Sequence, residues 1–115
     1  MVSKRFEIDE YKIRLSHTLK ATINGVAIKA RGIVSCYGEG LRLIVYFLSE
    51  DSPVPDAFFN VEKDTGALFL PFEQIAAYVD LLRNEKPVFG YLNSEVPHYN
   101  SITTSKEPVG EEEED

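Results

Sequence analysis

The chain is 115 residues long, 43% hydrophobic and 27% charged, with one cysteine and a formal net charge of -7. That length fits one domain with a modest core, and that balance of residues excludes the fibrous and disordered classes. A lone cysteine excludes an intrachain disulfide, and the longest apolar run, residues 43–48, is too short to cross a bilayer.

The charge is unevenly spread. Residues 1–42 hold eight Lys and Arg against four Asp and Glu, residues 43–106 hold four against nine, and residues 107–115 add six acids. A basic N-terminal part and an acidic remainder give the chain an electrostatic direction that the net charge hides. The opening Met1-Val2-Ser3-Lys4-Arg5 runs into alternating charged residues, not an apolar stretch. With an unpaired Cys36, this sets the expectation of a reducing, cytoplasmic setting.

In chain order, Phe6 to Ile8 reads as a first strand or a lead-in to one. Residues 11–37 read as a β-hairpin turning at Asn24-Gly25, because a two-residue type I′ turn needs positive φ at both central positions. Such a turn sets Lys20 opposite Lys29, Thr18 opposite Arg31, Ser16 opposite Ile33, Arg14 opposite Ser35 and Lys12 opposite Tyr37. The other side of the pleat carries Ile13, Leu15, His17, Leu19, Val34 and Cys36, which predicts a buried thiol and an inward or boundary histidine. Gly38-Glu39-Gly40 turns into a third strand, residues 41–48, apolar on most of both sides. A proline-marked loop precedes a second hairpin, residues 57–61 and 67–70, whose Asp64-Thr65-Gly66 turn suits a left-handed glycine.

Pro71 opens the one helix, where its missing N–H costs nothing. Phe72, Ile75, Ala76, Val79 and Leu82 form the apolar stripe, and the helix ends near Asn84, ahead of Pro87. Residues 88–93 read as one more strand. The expectation is a single α+β domain over residues 1–105, with 94–105 irregular and 106–115 a disordered acidic tail. Its architecture is a curved antiparallel sheet of five to six strands with a single helix, in the C-terminal half, packed on one face. One helix about 10 Å across leaves much of such a sheet uncovered, so a partial barrel or a homodimer is expected.

For function, Lys12, Arg14, Lys20, Lys29, Arg31 and Arg42 are predicted to share one sheet surface with the hydroxyls of Ser16, Thr18, Thr22 and Ser35, and with Tyr37 and Tyr46 available to stack. No acid lies between Tyr11 and Tyr37. Cations that track phosphates beside aromatics that stack bases suit single-stranded nucleic acid. The competing expectation is a homodimeric interaction or assembly factor, in which Ile33, Ile44, Tyr46 and Leu48 form a protein interface on the same sheet. The acidic tail is read either as a solubilising segment or as a competitor for the basic face.

No catalytic residues, metal site or cofactor are expected: no nucleophile neighbours a base, His17 and Cys36 are set too far apart to touch, and Gly38-Glu39-Gly40 lacks the helix that a phosphate loop needs.

Antiparallel strands followed by Leu68-Phe69-Leu70 and then Pro71-Phe72-Glu73-Gln74 opening a helix resemble the strand-to-helix unit of the cofactor-type single-stranded DNA-binding transcription regulators and their Whirly relatives. The similarity covers residues 11–84. It implies a dimer that binds single strands on a curved sheet. The additional strand at residues 88–93 and the absence of an aromatic run depart from that pattern.

Overall fold

The computed structural model describes residues 2–106, so all of the expected tail except Lys106 lies outside the described residues. Among the described residues eight strands and one α-helix succeed one another in chain order: β1 (Ser3–Glu7), β2 (Glu10–Ile23), β3 (Val26–Gly38), β4 (Leu41–Leu48), β5 (Phe58–Asn60), β6 (Thr65–Pro71), α1 (Ile75–Asn84), β7 (Val88–Asn93) and β8 (Ser101–Thr104). They form two sheets, not one. The larger has the order β2-β3-β4-β6-β5, the smaller β1-β7-β8. All pairs are antiparallel except β4 with β6.

Alternation builds the main core. Leu43, Val45 and Phe47 of β4 are fully buried on one side with Val34 and Cys36 of β3, while Ile44 and Tyr46 between them are half-buried on the other. Against the first side pack Phe6, Val88 and Leu92 of the small sheet and Leu82 of α1, with Ile75, Tyr78 and Val79 beside it. The helix and the small sheet therefore lie on one face of the large sheet. The ring of Tyr78 meets that of Phe47 edge-on at 5.4 Å. The molecule's shortest dimension is 20 Å, room for two layers and not three.

The Asn24-Gly25 turn forms as its residues dictate, with φ of 48° and 83°, and Lys20 does oppose Lys29. Beyond it the expected register fails. Leu19 pairs with Ala30 but Leu15 pairs with Gly32, so residues 16–18 oppose Arg31 alone. Arg14 consequently meets Ile33, Lys12 meets Ser35, and Glu10 meets Tyr37. Arg31 is also surplus against β4, where Ala30 pairs with Leu48 and Gly32 with Phe47. Beside the bulge the helix start packs close on the sheet: a Cβ on Gly32 would lie 2.5 Å from Ile75 Cδ1 and 3.5 Å from Phe72 Cε1. Glycine at that position leaves the room in which the helix start sits.

That bulge exchanges the two sides of the hairpin. On one part of β3, Val34 and Cys36 face the helix. On the other, Ile28 and Ala30 join a second cluster with Leu48, Ala67, Phe69, Ile33 and Tyr46 on the opposite face. The guanidinium of Arg31 lies 4.3 Å over the ring of Phe72, on the helix side. Arg31, the one residue of β3 surplus against β4, switches which neighbours share a face because side chains alternate with period two, whereas the two residues of β2 surplus against β3 keep that pair in phase.

Three smaller expectations are also corrected. The left-handed residue after the short 3-10 turn Val61–Lys63 is Asp64 (φ 51°), not Gly66, whose place is set by the side chain of Leu92 packed against it. Pro71 leads into a 3-10 turn, Phe72–Gln74, before α1 proper begins. Residues 94–105 contain β8, which carries only one apolar residue and pairs as an edge strand with β7.

Candidate sheet-face site

On the face turned away from the helix, pairing across β2, β3, β4, β6 and β5 lines residues up in three rows. The first is Glu10, Tyr37, Arg42, Thr65 and Asn60. The second is Lys12, Ser35, Ile44, Ala67 and Phe58, and the third is Arg14, Ile33, Tyr46 and Phe69. The centre is apolar. Ile33, Ile44, Tyr46 and Phe58 are half-buried, and Tyr46 stacks on Phe69 at 5.1 Å with the rings 9° apart. Every member of this second cluster comes from the large sheet itself, so neither the helix nor the small sheet contributes to it.

Polar groups frame that centre. Lys12 and Arg14 stand exposed along β2, the outer strand, while Arg42 donates to the hydroxyl of Thr65 at 3.3 Å. Burial pushes the Tyr46 phenol above its ordinary pKa, opposed by the positive charge of Arg42. Tyr46 thus stays neutral and usable as a stacking or contact surface throughout the physiological range.

The predicted basic residues do not share this face. Lys12, Arg14, Tyr37 and Arg42 lie on it. Lys20, Lys29 and Arg31 are carried by the bulge to the other side, where they border a hollow with His17, Thr18, Ser49 and Asp51. There Lys29 donates to Asp51 at 2.9 Å, and that hydrogen bond and charge hold the Asp51 carboxyl below its ordinary value. His17, expected inward or at the boundary, is exposed, with the Thr18 hydroxyl 3.2 Å from its ring nitrogen. Of the predicted interface residues, Ile33, Ile44 and Tyr46 are together on the open face, whereas Leu48 is buried at 4% exposure.

No family model, curated protein or solved structure matches this chain. Phe58 and Phe69 complete the face and escape sequence reasoning. They reach Ile44 and Tyr46 only through the parallel pairing of β4 with β6, a contact between strands whose connection says nothing of register. Among the described residues no three His, Cys, Asp or Glu side chains group as a metal site, and no helix is long and apolar enough to cross a membrane.

Cys36 lies in the core, as its alternation predicts, and burial pushes its thiol up from 9.0 to about 12. Native protein at pH 8 should therefore resist iodoacetamide, and labelling should track the unfolding rate; rapid stoichiometric labelling of folded protein would contradict this burial. Because the unfolded thiol ionises first, this contribution to stability is intact below pH 9 and declines as pH rises toward 12.

Proposed function

We propose that the protein is a non-enzymatic interaction module that binds another polypeptide on the sheet face turned away from its helix. The carrying observation is the half-buried apolar centre Ile33, Ile44, Tyr46 and Phe58 on a face to which, among the described residues, neither the helix nor the small sheet contributes a packed side chain. An apolar centre inside a polar frame is the anatomy of a protein interface, and leaving it in water forfeits roughly 25 cal/mol for each Å² of apolar surface. Exposed cations on β2 and the bulge along it blunt that edge against unspecific strand pairing, so the face is the surface left to work.

The same face would also admit single-stranded nucleic acid, with Lys12, Arg14 and Arg42 on phosphates and Tyr37 and Tyr46 under bases. Separation of Lys20, Lys29 and Arg31 from these residues shortens that track to three cations, which favours the polypeptide. A photo-crosslinking residue placed at Ile44 should capture protein in the cells that make this chain, and one at the exposed Ala76 of α1 should not. Capture of nucleic acid, or equal capture from both positions, would overturn the reading. The complex should also persist in high salt, whereas binding through three phosphates would weaken about 20-fold between 50 and 200 mM.

A further inference from the structure

Apart from the sheet face, we infer that the hollow between the hairpin and the loop after β4 is a binding site for a small soluble phosphoryl anion, with diphosphate held more tightly than monophosphate.

The cations of the hollow are crowded more closely than the fold alone explains. Lys20 and Lys29 sit directly opposite one another across the β2–β3 ladder, their stems about 5 Å apart, and Arg31 follows Lys29 by two residues, about 7 Å along the strand. Like charges placed directly opposite destabilise a sheet, and an anion between them removes that cost. Asp51 answers Lys29 alone, at 2.9 Å, and among the described residues neither Lys20 nor Arg31 has an ion-pair partner. Three cations thus face one carboxylate around an open space of about 530 Å³, with the hydroxyls of Thr18 and Ser49 as further donors.

The walls are fixed before any ligand arrives. Lys29 N donates to the hydroxyl of the buried Ser52 at 2.9 Å, and Lys29 O accepts from Ser49 N at 2.9 Å and from Ser49 Oγ at 3.1 Å. The loop is therefore stitched to β3 at a residue that supplies one of the ammonium groups. Arg31 is held by its stacking on Phe72, and a guanidinium placed in advance loses less freedom when its N–H fork meets paired phosphoryl oxygens. Arg31, Ser49 and Asp51 also line a neighbouring hollow, where Glu50 and Glu73 join them. An extended polyanion running on past Arg31 would meet those acids, so the charge pattern suits a compact anion on the side of Lys20 and Lys29.

Calorimetric titration of the full chain with sodium pyrophosphate at low salt should show saturable one-to-one binding, about tenfold tighter than inorganic phosphate because more charge-assisted hydrogen bonds form. Sulfate at matched ionic strength should bind more weakly than pyrophosphate. Lys20→Gln should weaken pyrophosphate binding by about tenfold. The melting temperature of that free variant should equal or exceed the parent's, since the opposed pair is gone. Lys20→Arg keeps the charge and should bind as the parent does. Asp51→Asn should tighten binding by about threefold or more, because it removes the one carboxylate that lines the hollow. Lys4→Gln, at an exposed cation of β1 outside the hollow, should change nothing. Opposite responses at Lys20 and Asp51 separate a site from general attraction to a cation-bearing surface. No binding at low salt, sulfate held as tightly as pyrophosphate, equal losses in Lys20→Gln and Lys4→Gln, or an Asp51→Asn affinity no higher than the parent's would each overturn the site.

Discussion

Gly38→Ala should lower the stability of the fold by about 4 kcal/mol or more, the range reserved for a change with no room to relax. Gly38 is buried at the end of β3, where the chain passing from β1 to β2 crosses it. A Cβ there would overlap the carbonyl of Glu7, and Ile8 Cα lies only 3.3 Å away. Both obstacles are backbone. Moving them would break the 2.9 Å hydrogen bond from Asp9 N to Tyr37 O and the 2.8 Å bond from Ile8 N to Val88 O, which tie the two sheets at this corner. Gly25→Ala is the control: that site has φ of 83° but nothing within 4 Å, so strain alone should cost about 1 kcal/mol. Urea unfolding of both variants separates the causes. Equal losses would show that the corner can open.

Asn100→Ala should cost about 3 kcal/mol and lower the melting temperature by about 12–20 °C. The residue is 3% exposed and joins the sheets from their edges. Its amide donates to Phe58 O at 2.9 Å and Ala67 O at 3.3 Å in the large sheet, and its oxygen accepts from Asn93 N at 2.9 Å in the small one. Alanine leaves those three backbone groups without this partner, at about 1 kcal/mol apiece. Hydrogen exchange at the Asn93 amide should accelerate well beyond the global change. A loss under 1 kcal/mol would mean that water reaches the gap and replaces the side chain.

Legibility differs from segment to segment. Asn24-Gly25 announces its turn because positive φ is a property of those two residues, and Pro71 announces a helix start for the same local reason. Alternation through residues 33–37 and 41–47 names the core side of β3 and β4, including Cys36, since one face of each strand is buried. Nothing local marks the bulge at residues 16–18. Leu15, Ser16, His17, Thr18 and Leu19 alternate acceptably, and the slip appears only once β2 is paired with β3, beside the glycine on which the distant helix start packs. The predicted cationic face divides at that slip, and with it the main argument for a long nucleic-acid track.

Asn100 shows the same boundary from the other side. In the sequence it is one polar residue in a polar stretch, and only the approach of β5 and β6 makes it the joint between sheets. Neighbours along the chain suffice to specify the hairpin turn, the alternating core, the helix start and the division of charge. They do not specify which side of the sheet each cation occupies, the parallel seating of β6 beside β4, or the apolar face of Ile33, Ile44, Tyr46 and Phe58. Those are settled only when distant segments meet, and the surplus Arg31 in a strand of period two decides which side each cation of the hairpin occupies.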